Sequence, residues 1–210
     1  MAKNKFYVVW EGKKPGIYKT WAECKANINR ISGAKYKSFE SIELAKKAFA
    51  GNYDEYKGKT FKVSSLTKDQ IEKIGKPNLD SVAVDASCIG NPGLMEYNGV
   101  DTKTKRVLFS SQVFKESSNN IGEFLAVVHA LALLKKNNDS RSIYSDSKIA
   151  IGWVKAKKCK TNIVKTVKND PVFQLIERAE NWLQQNSYTN SILKWETKAW
   201  GEIPADYGRK

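Results

Sequence analysis

Apolar residues recur along this chain with two periods, and their order divides it into two modules. In the first fifty residues the pattern reads strand, turn, strand, helix, strand, helix. KFYVVW is rich in β-formers, GKKPG breaks it with Pro15 and Gly16, and IYKTW returns as a second strand. Thr20 stands three residues before Glu23, the spacing of a capping box, and Trp21, Cys24, Ile28 and Ile31 then recur at helical intervals. GAKYKSF predicts a short third strand, and SIELAKKAFA a second helix capped by Ser41.

The second module starts with SVAVDAS as a strand. MEYNGVDTK and KRVLFSSQVFK follow as two more, and a long apolar helix runs through SSNNIGEFLAVVHALALLKK. Phe124, Val127, Val128, Leu131 and Leu134 share one broad face of that helix. RSIYSDS predicts a fourth strand and KIAIGWVKAKK a short basic helix. DPVFQLIERAENWLQQ is a helix with Asp170 as N-cap and Pro171 in its first position, and SILKWET is a final strand. The order βββαβααβ predicts a mixed sheet with helices on its faces. Between the modules, GNYDEYKGKTFKVSSLTKDQIEKIGKPN has glycines, a proline and few large aliphatics. Residues 51–78 therefore read as mainly linker, with a helical turn at Lys68–Ile74.

Charge sharpens this division. The 210-residue chain carries 36 basic and 22 acidic side chains, a net of +14. Residues 1–78 hold 17 basic against 8 acidic, so the shorter segment is the more densely positive. That excess suits a polyanionic partner, with a solvated lysine-rich surface as the alternative. No apolar run approaches the roughly 20 residues a bilayer crossing needs, and the N-terminus lacks the form of a signal peptide, so no membrane association is expected. The three cysteines, Cys24, Cys88 and Cys159, form no close pair, which argues against a disulfide framework and for a reducing cytoplasm.

Two groups of residues carry candidate chemistry. Tyr7, Trp21, Tyr36 and Lys37 interleave rings with a cation, as a sequence-tolerant nucleic-acid groove does; the alternative is that the rings fill the core of a very small domain. The other group is acidic. Asp85 and Asp146 each end an apolar strand, Glu123 opens the long helix, and Asp206 lies near the end of the chain. Taken singly, each could be a surface charge or a cap. Two acids ending apolar strands demand a positive partner, because an ionised carboxylate in such a place is costly. Oxygen donors with no histidine or cysteine cluster favour Mg2+ or Mn2+ over zinc.

The first fifty residues, through FYVVW, the TW-E-C stretch and KYKSF, resemble the hybrid-binding domain found at the N-terminus of many type 1 ribonucleases H and in caulimovirus viroplasmin proteins. That resemblance implies contact of Tyr7, Trp21 and Tyr36 with the DNA strand of an RNA/DNA duplex, and of Lys37 with a phosphate. VAVDASCIGNPG, ESSNNIGE, IYSDS and PAD resemble, in order, the motifs of the ribonuclease H catalytic domain. The resemblance implies an α/β fold with a five-stranded mixed sheet over residues 79–210, joined by the 51–78 linker to a small α+β hybrid-binding domain at 1–50. It also implies hydrolysis of the RNA strand of RNA/DNA hybrids, leaving 5′-phosphate and 3′-hydroxyl ends. Two Mg2+ ions, or Mn2+, would be held by Asp85, Glu123, Asp146 and Asp206. Cys88, Asn91, Ser118, Asn119 and Asn120 match positions that touch the duplex, and Lys148 stands where many relatives have glutamine, implying an added phosphate contact. On residue type alone, SSNN is also a helix cap.

This chain departs from the family in three places. Many relatives carry a histidine in the loop before the last aspartate; here ETKAWGEIPAD has none, and the only histidine, His129, lies mid-helix and reads as structural. Glu202 is the nearest polar candidate for a supporting role near a metal, with an exposed loop acid as the equal alternative. Only YGRK follows Asp206, which predicts a loosely held carboxylate. The basic handle of some relatives is reduced to GWVKAKKCKTN, so the N-terminal module would supply the second grip on substrate. The leading expectation is a hybrid-cleaving nuclease with no obligate protein partner. A hybrid-binding protein with little or no nuclease activity is the alternative, and a DNA-cutting nuclease of the same fold class is a third reading.

Overall fold

The computed structural model of the protein describes residues 5–58 and 66–207. Residues 1–4, part of the predicted linker (59–65) and the last three residues of the short tail lie outside the described residues. The chain forms two compact units, Met1–Ser65 and Leu66–Lys210.

In the first unit three antiparallel strands, β1 (Phe6–Glu11), β2 (Gly16–Tyr18) and β3 (Lys35–Phe39), are ordered β2-β1-β3. Helix α1 (Trp21–Ile28) opens with the capping box predicted at Thr20 and Glu23, and α2 (Ile42–Ala50) is capped by Ser41. Val8, Phe39, Ala45, Ala48 and Tyr56 form the core. Two expectations change here. Helix α1 stops at Ile28, and Trp21 and Ile31 are 44% and 37% exposed; within α1 only Cys24 is buried. The start of the predicted linker also folds onto this unit. Trp10 donates its indole N–H to the carbonyls of Ala48 and Gly51, and its ring packs against Tyr53 and Tyr56 of a one-turn helix α3 (Tyr53–Tyr56). A domain this small buries little apolar surface, so it recruits aromatics from beyond its last long helix.

The second unit starts with α4 (Lys68–Ile74), where the sequence predicts a helical turn. Its capping box pairs Thr67 with Gln70. The sheet follows: β4 (Ser81–Gly90), β5 (Gly93–Asp101), β6 (Val107–Ser110), β7 (Phe114–Ser117), β8 (Ser142–Ser145) and β9 (Ile192–Lys194). The path runs β6-β5-β4-β8-β9, antiparallel from β6 to β4 and parallel from β4 to β9, so the sheet is mixed. Strand β7 pairs with the near end of β5 and β6 with its far end. Together they occupy one edge, so the single third strand predicted from KRVLFSSQVFK is one ribbon broken at Ser111–Val113. Ser111 covers the break by bonding to the backbone of Tyr97 through both its own N–H and its hydroxyl.

Helix α5 (Asn119–Lys136) lies on the sheet face that carries Val82, Val84, Ala86 and Ile143, and is flanked by α6 (Lys148–Lys155) and α7 (Asp170–Gln185). Covered from several sides, it buries Leu125, Ala126 and Ala130 beyond the face the sequence predicts. Helix α7 begins at Asp170, with Asn169 rather than Asp170 at the cap position and Pro171 second. Asn169 does not cap; it is buried and bonds to Thr166, Val164 and Glu116, fastening the preceding loop to β7, while Asp170 pairs with Lys165. On the opposite face, Ala83, Val100, Tyr144, Trp195, Ile203 and Ala205 make a smaller core. Among the described residues, no helix is long and apolar enough to cross a membrane.

Candidate functional site

The register of the sheet makes the site. The parallel β4–β8 ladder ends on the pair Val84 and Ser145, so the next residues, Asp85 and Asp146, stand side by side where the two central strands part. Asp146 follows the last residue of β8, but Asp85 does not end its strand as the sequence suggested, since β4 runs on to Gly90 and pairs Asp85 with Asn98. Alternation then sorts the neighbours. Ala83 and Tyr144 lie in the smaller core, so Asp85 and Asp146 sit on that face, whereas Ser145 points with Ile143 toward α5. Glu123 arrives from α5. Ser118 caps this helix by accepting from Ile121 N, and Gly122 lets it close on the sheet, since a Cβ there would stand 2.7 Å from that of Ala86.

Carboxylate oxygens of Asp85, Glu123 and Asp146 lie within 4.8 Å of one another. Asp85 is 7% and Glu123 2% exposed. Burial first, and then the charge of Asp146, push the Asp85 carboxyl up to about 7. Burial, then Asp85 and Asp146, push Glu123 up to about 9. The contact between the two carboxyls raises Glu123 and lowers Asp85 in part. Asp146 is raised mainly by burial, against the opposing pull of Lys194. Lys194 ends β9 beside Ser145 in the ladder, a cation that sequence reasoning overlooked because it lies 48 residues after its target (194 against 146). One lysine does not neutralise three crowded acids. Oxygen donors, mutual repulsion and the absence of histidine or cysteine from the cluster fit a hard divalent cation, which Asp85, Glu123 and Asp146 would hold.

Two further side chains orient Glu123. Ser145 Oγ donates to Glu123 Oε2 at 3.3 Å while accepting from Ser147 N at 3.1 Å, and Asn119 Nδ2 donates to Glu123 Oε1 at 3.3 Å. Ser145 was not singled out from the sequence; its signal is the small hydroxyl in YSDS before the strand-ending aspartate. Replacing Ser145 with alanine is expected to cost about 1–3 kcal/mol in urea unfolding, because Ser147 N–H loses its acceptor and Glu123 a donor.

Asp206 is exposed and stands outside the group of three, yet its charge adds to the raising of both Asp85 and Asp146. The residues ahead of it are anchored. Ile203 and Ala205 are buried against Trp195 and Tyr144, Trp195 donates to Gly201 O, and Asp206 N–H bonds to Ile203 O. The loop is pinned ahead of the acid, so it does not depend on a following helix. Glu202 is exposed on the same loop and lies outside the three-acid group.

Of the other candidates, Ser118 and Asn119 lie beside Glu123, and Asn120 is half-buried in the first turn of α5. The Cys88 thiol bonds to the carbonyls of Gly90 and Ser117, linking β4 to the α5 entry. Asn91 is exposed at the β4–β5 hairpin tip, and Lys148 is exposed in the first position of α6. His129 is remote in role: it stacks on Phe109 at 4.1 Å and meets Tyr97 edge-on, and burial and Arg178 lower its pKa.

In the first unit Trp21 bridges Tyr7 and Tyr36, with ring centroids 5.5 and 5.9 Å apart, and Tyr36 is 40% exposed. These rings form a surface rather than a core. Lys37 is opposite Val8 in the ladder, so it leaves β3 on the face away from Tyr36 and Ser38.

Comparison with known proteins places both units. The family described as the ribonuclease H1 N-terminal domain matches residues 5–49, and the RNase H family matches residues 80–197. A ribonuclease H of Schizosaccharomyces pombe is 24% identical over 256 residues, covering 97% of this chain and 95% of the relative. One of Francisella tularensis subsp. novicida is 32% identical over 124 residues, 53% of this chain and 77% of the relative. One of Saccharomyces cerevisiae is 48% identical over 44 residues, 21% of this chain and only 13% of that relative. Among solved structures, LC11-RNase H1 isolated from compost is 18% identical with a TM-score of 0.37, covering 57% of this chain and 88% of that one.

Proposed function

The chain belongs to the ribonuclease H family, and we propose that it is a divalent-metal-dependent endonuclease that hydrolyses the RNA strand of RNA/DNA hybrids, leaving 5′-phosphate and 3′-hydroxyl ends. The observation that carries this reading is the convergence of Asp85, Glu123 and Asp146 within 4.8 Å, just past the last pair of the parallel β4–β8 ladder. Asp85, Glu123 and Asp146 would hold the metal, with Asp206 closing the site from its anchored loop. A bound pair of Mg2+ or Mn2+ ions would supply an activated water and stabilise the leaving oxygen. The chain's own residues set the stage for that chemistry. Burial makes the acids demand a cation, Ser145 and Asn119 hold Glu123 in place, and Asn119, Asn120 and Asn91 offer amides that both donate to and accept from a 2′-hydroxyl. The three free cysteines suit a reducing compartment, and we place the enzyme in the cytoplasm.

The deciding experiment is cleavage of a hybrid labelled in its RNA strand, in Mg2+ and then Mn2+, beside a DNA duplex control. Metal-dependent cutting of RNA only within the hybrid is expected. Tight hybrid binding with no cutting in either metal would replace this reading with that of a binding protein, and efficient cutting of the DNA duplex would move the enzyme to another nuclease class.

The surface formed by exposed Trp21 and Tyr36 with half-buried Tyr7 supports a second grip on the same duplex. Trp21→Ala removes the central ring, and base–aromatic stacking is worth about 1–3 kcal/mol per contact. Affinity for a long hybrid is expected to fall about tenfold or more in a filter-binding assay, while cleavage of a hybrid too short to reach both units is unchanged. Equal loss on long and short substrates would count against the tethered grip.

A further inference from the structure

One polar atom beside the acid cluster has no partner. Asn98 lies inside β5, paired with Asp85 on one side and with Ser110 on the other. Directly opposed residues of an antiparallel pair project from the same face, with Cβ atoms about 4.5–5.5 Å apart. Asn98 therefore shares the face of Asp85, together with Glu96 and Val100 of its own strand. Its side-chain oxygen is buried and makes no hydrogen bond among the described residues. A buried acceptor left unpaired is costly, and asparagine is in any case a poor strand-interior residue. Asp85 lies across the ladder and Glu96 two residues away on the same face, and the Ser110 hydroxyl opposite on β6 makes no hydrogen bond to it. A cation at Asp85 would bring the missing donors, since its waters present their hydrogens outward.

We propose that Asn98 is a positioning residue of the cation site, its amide oxygen accepting a hydrogen bond from the hydration shell of the metal held by Asp85. This rests on the reading of Asp85, Glu123 and Asp146 as metal ligands. It extends the site to β5, the strand on the far side of Asp85 from Asp146, so that Asp85 is flanked by oxygen donors on both neighbouring strands. A neutral amide suits this position because a further carboxylate would add to repulsion that already burdens the cluster.

The test is Mn2+ binding to the full chain without nucleic acid, read from the free-Mn2+ signal in electron paramagnetic resonance, with folding checked by circular dichroism. Groups that support a metal from outside its direct ligands typically change affinity by about 10–100-fold when removed. Asn98→Ala is expected to weaken Mn2+ binding by about tenfold. Asn98→Asp keeps the shape and adds an anionic oxygen, and is expected to tighten binding. A folded Asn98→Ala protein that binds Mn2+ like the native chain overturns the inference, because the buried oxygen is then served by an ordinary water. An Asn98→Asp protein that binds no tighter than the native chain also overturns it. Asp85→Asn, measured in parallel, separates the two readings. If it abolishes binding while both Asn98 variants behave as native, only the role of Asn98 falls; if it too binds normally, the acid cluster is not the cation site.

Discussion

Asp85→Asn will lose hybrid cleavage by at least about a thousandfold, a rise of roughly 4 kcal/mol in the barrier, and will at the same time make the metal-free protein more stable. The two effects share one cause. Asp85 is buried within the central strand β4, and both its burial and the neighbouring Asp146 oppose its ionisation. A neutral amide of the same shape needs no compensating cation, so it relieves the folded state while removing the ligand that draws the metal. For a chain of this size each kcal/mol gained raises the melting temperature by about 2–4 °C. The measurement is paired: thermal unfolding in chelator, and single-turnover cleavage in Mg2+. Asp80→Asn, at an exposed acid just before the same strand, is the control and should leave both unchanged. Retained cleavage in Asp85→Asn would remove the acid cluster from the chemistry. Lower stability in chelator would mean that the native carboxylate is already satisfied by groups within the fold.

The acids were legible before the fold was, for a physical reason. An aspartate after VAV and another after SIYS break the apolar pattern at points where only a functional demand makes a charge tolerable, so Asp85 and Asp146 announce themselves, even though β4 continues past Asp85 to Gly90. Helix caps were equally readable where they act locally, as at Thr20 and Ser41, while within SSNN the sequence did not say which residue caps; it is Ser118. What the pattern hid were interactions set by register and packing. Lys194 and Asn98 reach the site only because β9 aligns on β8 and β5 on β4, and nothing in their own neighbourhoods signals it; for Ser145 the one local signal is the hydroxyl before Asp146. Asn169 in place of Asp170 at the start of α7 is the same lesson. The local cap rule favoured the acid before proline, but the loop needed the amide's donors and acceptor to tie it to β7. Tyr53 and Tyr56 looked like linker because their partner, Trp10, lies more than forty residues earlier.

The same cluster also makes stability depend on pH in an unusual direction, and divalent metal should reverse it. In the unfolded chain Asp85 and Glu123 titrate near 3.8 and 4.5, whereas in the folded protein they are pushed up to about 7 and about 9. Between those limits the native state holds more protons than the unfolded state, so stability falls as pH rises from roughly 4 to 9. Below that window both states are protonated and these two groups contribute no slope. The surrounding charges set the size of the effect: Asp146 and Asp206 add repulsion, and Lys194 relieves part of it at Asp146. In chelator, urea unfolding is expected to show a loss of several kcal/mol, on the order of 6, between about pH 5.5 and about pH 8.5. Cation binding displaces those protons, so the stabilisation by Mg2+ should be slight at the acid end and largest at the alkaline end. Asp85→Asn should flatten both curves. A chelator-treated protein that gains stability over this window, or a metal effect that does not vary with pH, would mean that the three carboxylates find their neutralising charge inside the fold and not in a bound cation.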